Sequence, residues 1–126
     1  MEFVTFELAK KLKEKGYPQV KKNTIAMYDK NGNWYSLIDT FDYFEYSFED
    51  FKEHGCICPT ISQVLKWLRK EKGLHIAIDI WGRTWGYDIM ELSSGNSLHW
   101  TAYREDIKSY EDAALAGIEY VLDNLI

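Results

Sequence analysis

The chain has 126 residues, 46% of them apolar and 16% aromatic, with a formal net charge of −5. That length suits a single domain, residues 1–126, with a core that needs no metal, disulfide or other cofactor to hold it. The acidic balance argues against nucleic acid as a partner, since such binding rests on a basic footprint, and no apolar run approaches the roughly 18 residues of a membrane span.

Met1-Glu2-Phe3 leads straight into a helix and not into the apolar stretch of a signal peptide. Thr5 is placed to cap that helix, with Phe6, Ala9 and Leu12 on its inner face and Lys10, Lys11, Lys13 and Lys15 outside. Gly16 stops it, Tyr17 folds back, and Pro18 prevents continuation. Residues 25–28 and 34–38 read as two short strands around Asp29-Lys30-Asn31-Gly32, a strong hairpin signal. Residues 41–51 are aromatic and acidic, with neither the helical nor the strand period clean.

After His54-Gly55-Cys56-Ile57-Cys58 the local signals sharpen. Thr60 with Gln63 makes a capping-box pattern, and Ile61, Val64, Leu65 and Leu68 repeat at the spacing of one buried helical face. Gly73 supplies the stop. The period then changes from 3.6 to 2. Ile76, Ile78 and Ile80 share one strand face, and His75, Ala77, Asp79 and Trp81 the other. A turn at Trp81-Gly82-Arg83-Thr84 returns the chain through Trp85, Tyr87 and Ile89. A further strand is predicted at 98–103, and a last helix opens at Ser109. Gly117 inside that helix either costs about 1 kcal/mol or permits close packing. The order α-β-β-α-β-β-β-α predicts an α+β fold. It consists of two helix-then-antiparallel-hairpin units plus a C-terminal helix, with the helices packed on one face of antiparallel sheet.

Few residues suggest chemistry. His54, Cys56 and Cys58 carry the side chains zinc prefers, but a closed site uses four ligands and no second Cys/His pair follows. With only two cysteines two positions apart, a structural disulfide is disfavoured and a reducing cytoplasm is the natural setting. His75, Asp79, Asp88, His99 and Tyr103 are acid–base types on predicted strands, the raw material of a small metal-dependent or His/Asp hydrolase. Residues 1–30 carry seven lysines against four acids. Lys10, Lys11, Lys13, Lys66, Arg69 and Lys70 would therefore form the face of a nucleic-acid-binding accessory protein, if the chain were one. The strongest candidate for contact with another protein is the 41–51 segment. Phe41, Tyr43, Phe44, Tyr46 and Phe48 offer area there, and the interleaved acids offer steering toward a basic partner.

Pro59-Thr60, Val64, Trp67-Leu68-Arg69, Gly73-Leu74-His75 and Ser109-Tyr110-Glu111-Asp112-Ala113, with Phe3-Val4-Thr5 and the Asp29 to Gly32 turn, carry a resemblance. Together they resemble a family of small uncharacterised α+β proteins from Bacteroides-type gut bacteria and their phages and mobile elements. The resemblance implies an α+β fold in a bacterial or phage setting and no established activity. The 41–51 insertion and the His-x-Cys-x-Cys lie outside its pattern. The expectation is a non-catalytic, cytoplasmic interaction domain whose partner is a protein, a homodimer included.

Overall fold

The computed structural model describes residues 2–37, 48, 53–102 and 104–126. The chain is an α+β protein that divides into two compact units, Phe3–Thr60 and Ile61–Ile126, with Glu2 belonging to the second.

The first unit opens with α1 (Phe6–Glu14). The Thr5 side chain accepts the Leu8 N–H at 3.3 Å, which satisfies one of the donors a helix start leaves unpaired. Strands β1 (Ala26–Tyr28), β2 (Trp34–Ser36) and β3 (Cys56–Cys58) form an antiparallel sheet in the order β2-β1-β3. The β1–β2 turn is held by Asp29, whose Oδ1 accepts the N–H groups of Asn31 and Asn33, both at 2.9 Å. These bonds, that from Asn33 first, hold the Asp29 carboxyl below its ordinary value. The sequence reading had a hairpin here but not β3, which pairs with the free side of β1.

α1 packs on β3, over the face of Cys56 and Cys58. Leu8, Ala9 and Leu12 are buried. The opposite face of the sheet has its own cluster of Met27, Leu37, Phe48 and Ile57, with Tyr17 against it.

The second unit starts with α2 (Ile61–Lys72), directly after Thr60 as the capping pattern predicts. Its buried residues are the four of the predicted stripe, Ile61, Val64, Leu65 and Leu68. Gly73 follows at φ +64°, a backbone state costly for any residue with a Cβ. Strands β4 (Leu74–Trp81), β5 (Thr84–Glu91) and β6 (Ser97–Thr101) form a second antiparallel sheet in chain order. α3 (Tyr110–Asn124) completes the unit. Its cap is Ser109, whose Oγ accepts the Asp112 N–H at 3.0 Å, while the Asp112 carboxylate accepts the Lys108 N–H at 3.2 Å.

α3 lies against β4 and β5 and beside α2, so one face of the sheet is covered. The contact is close at Gly117. A Cβ there would sit 2.9 Å from Ile76 Cγ2 and 3.3 Å from the Tyr87 ring, so the helix glycine permits packing. Among the described residues no helix is long and apolar enough to cross a membrane.

Candidate functional site

The register of the second sheet decides which side chains share a face. Ile76 pairs with Ile89, Ile78 with Tyr87 and Ile80 with Trp85. These point toward the helices, as do His99 and Thr101, which pair with Ile89 and Tyr87. His75, Ala77, Asp79 and Trp81 point the other way, with Met90, Asp88 and Gly86 opposite them. Trp100 joins them across from Asp88. Next to it the pairing shifts: Ile89 faces His99 and Met90 faces Ser97, so Leu98 is the extra residue of a bulge.

This second face carries large apolar groups in solvent. Trp100 is 63% exposed and Trp81 46%. Scattered exposed hydrophobics are ordinary, whereas tryptophans gathered on one sheet face are the composition of a contact surface. Gly86 shapes it. A Cβ there would collide with the Thr101 carbonyl and come within 3.2 Å of Trp81 Cδ1, so the missing side chain lets the indole of Trp81 lean across the sheet. The far end of the β4–β5 hairpin is exposed on its other face too. Ile80 is exposed there, and Trp85 meets the half-exposed Tyr110 edge-on at 6.3 Å.

The acid–base residues are divided by this geometry. His99 lies on the helix side, stacked on Tyr120 at 3.7 Å and near Tyr87 at 5.7 Å. His75, Asp79 and Asp88 lie on the opposite face. Asp79 accepts the Ile80 N–H at 2.7 Å, and Asp88 accepts the Ser97 hydroxyl. The fifth candidate, Tyr103, lies outside the described residues.

His54, Cys56 and Cys58 are also separated. The His54 ring is exposed, 3.8 Å from Glu53, while both cysteines are buried free thiols. Cys58 donates to the Val4 carbonyl at 3.6 Å, which also accepts the Tyr28 hydroxyl at 2.8 Å. Burial pushes both thiols up to about 11, against the opposing pull of Lys13 on Cys56 and of the Tyr28 and Trp34 hydrogen bonds on Cys58. At pH 7 only about one thiol in ten thousand is then a thiolate, the form that attacks or binds metal. Among the described residues no group of three His, Cys, Asp or Glu side chains is placed to hold a metal ion.

Of the aromatic segment, Phe48 is buried in the cluster with Met27, Leu37 and Ile57, so its ring presents no contact surface. Phe41, Tyr43, Phe44 and Tyr46 lie outside the described residues. Lys10 is held by Glu7 at 3.0 Å and lies over the Phe6 ring, and Lys13 donates to the Gly55 carbonyl at 2.7 Å. Both are tied into their own unit. The exposed face of the second sheet was missed as a site by sequence reasoning. Its signal was present in the alternation: isoleucines on one side of β4, and a tryptophan on the other.

Comparison with protein-family models, with curated proteins and with solved structures finds no match for this chain.

Proposed function

We propose that this protein is a non-catalytic interaction domain, acting in the cytoplasm of a bacterium or in a phage setting, that binds another protein through the helix-free face of its second sheet. The observation that carries this reading is the exposure of Trp81 and Trp100 on one face of the second sheet. Tryptophan at the centre of a contact contributes more than most side chains, because it removes a large apolar area from water at little cost in side-chain freedom. The buried, protonated thiols and the split between His99 and the Asp79/Asp88 side of the sheet support a binding role over a catalytic one. Two free cysteines suit a reducing compartment.

The test is affinity capture of binding proteins from a Bacteroides-type lysate on the immobilised wild-type chain and on a Trp81→Ala/Trp100→Ala variant. The reading predicts a defined protein that the variant fails to retain. Equal recovery by both chains removes this face from the account. A Phe44→Ala/Tyr46→Ala variant measured alongside shows whether residues 41–51 add to the contact.

A further inference from the structure

We infer that the partner meets this face with a basic segment, a stretch of another protein whose arginine or lysine side chains lie on the indoles of Trp81 and Trp100 and pair with Asp79 and Asp88. This rests on the interaction reading above and names the chemistry of the partner.

The register fixes the arrangement. Ala77, Asp88 and Trp100 form one row across the three strands on the helix-free face, and Asp79 lies across from Gly86 in the next row. Gly86 has no side chain, and the indole of Trp81 leans over it. That indole is therefore flanked by Asp79, the cross-strand neighbour of Gly86, and by Asp88, two residues along β5 on the same face. Such neighbours have Cβ atoms about 5 Å apart across strands and about 7 Å apart along one. A cation resting on the Trp81 ring thus has a carboxylate within reach on either side, and Trp100 stands next to the second of them. Each carboxylate uses one oxygen within the sheet, Asp79 on the Ile80 N–H and Asp88 on the Ser97 hydroxyl. Among the described residues neither has an ion-pair partner, and neither indole has a ring or a cation against it. Trp67, by contrast, carries Lys72 at 5.4 Å.

Charge selects the occupant. β4, β5 and β6 hold no lysine or arginine. A second copy of this chain, face to face across a two-fold axis, would set Asp79 and Asp88 against themselves. A wholly apolar partner would strip water from both carboxylates and return no charge, and a polyanion would be repelled. A basic segment neutralises both carboxylates, and its cations are attracted to the indole faces as well. Arginine suits the site best, because its planar group stacks on a ring while its N–H groups pair with a carboxylate.

Fluorescence anisotropy of a labelled hexa-arginine peptide, titrated with the full chain at about 50 mM salt, tests this. The wild type is expected to bind saturably, to lose about tenfold or more in affinity by about 300 mM salt, and to leave hexa-glutamate unbound. Asp79→Asn/Asp88→Asn and Trp81→Ala/Trp100→Ala are each expected to weaken binding by about tenfold or more. Asparagine keeps an oxygen for the Ile80 N–H and the Ser97 hydroxyl, and both indoles are exposed, so circular dichroism should show unchanged folding. Glu111→Gln/Glu119→Gln on α3, which covers the opposite face of the sheet, removes the same charge and should bind as the wild type does. Equal weakening by both charge-removing pairs would reduce the effect to net charge and overturn the inference. No binding at up to about 1 mM chain, binding indifferent to loss of the two indoles, or self-association of the wild type that Trp81→Ala/Trp100→Ala abolishes would overturn it too. A lysate protein lost with Trp81→Ala/Trp100→Ala but retained in full by Asp79→Asn/Asp88→Asn would sink the basic segment and leave the interaction reading standing.

Discussion

Cys56 and Cys58 sit two apart on a three-residue strand, both buried, with protonated thiols that share the space under α1 with Tyr28. Their environment makes them packing groups. A thiol reagent should therefore label the native chain far more slowly than the urea-unfolded chain, and labelling of both at the free-thiol rate in the native state would contradict the placement. Glycine carries as much meaning as cysteine here. Ala at position 86 would drive its methyl group into the Thr101 carbonyl, a backbone atom that cannot swing aside, so Gly86→Ala should cost about 2–3 kcal/mol in urea unfolding. Gly117→Ala gains helix propensity, yet its methyl group meets Ile76 and Tyr87, and a net loss of about 1–2 kcal/mol is expected. A stabilised Gly117→Ala chain would show that α3 can move away from the sheet at little cost.

At the scale of the element, termini and turns carry the local order. Ser109 holds the start of α3 through the Asp112 N–H, so Ser109→Ala should lower stability by about 1 kcal/mol, measurable as a shift in the urea midpoint at constant slope. The same signals explain which elements are legible in the sequence. Thr5, Gly73 and Ser109 each lie beside the helix end they were expected to mark, because capping is a local bond between residues near in sequence. The strand faces of β4 and β5 followed from alternation. β3 was missed for the converse reason. It is three residues long and buried on both faces, so no period exists to detect, and its chemical composition drew attention to metal binding instead. Phe48 illustrates a further limit: whether an aromatic residue fills a core or faces water depends on partners distant in sequence, here Met27 and Leu37 as well as Ile57. The exposed tryptophans obey the same rule. Alternation put Trp81 opposite the isoleucines, but only the placement of the helices shows which of the two faces stays open.

For the whole molecule, buried thiols and carboxylates at turns make stability depend on pH with opposite signs at the two extremes. Both thiols titrate higher in the folded chain than the ordinary value of about 9, so the unfolded chain releases its protons first. Their contribution is whole below about pH 9 and is lost as pH rises toward about 11. Tyr28, Tyr17 and Tyr87, also raised by burial, act in the same direction at higher pH. Asp29 and Asp106 are lowered by their hydrogen-bond partners, so their contribution is present above the usual carboxylate range and is lost below it. Thermal melts should accordingly be flat near neutrality, fall from about pH 9 upward, and lose part of the alkaline fall in a Cys56→Ala/Cys58→Ala chain. An unchanged alkaline slope would assign that fall to the tyrosines. The central claim is the proposal that this protein binds another protein through the face of its second sheet that carries Trp81 and Trp100. Affinity capture from a Bacteroides-type lysate on the wild-type chain and on a Trp81→Ala/Trp100→Ala chain shown by circular dichroism to be folded tests it most directly. The account predicts a defined protein that the wild type retains and the variant loses; equal recovery on both chains would contradict it.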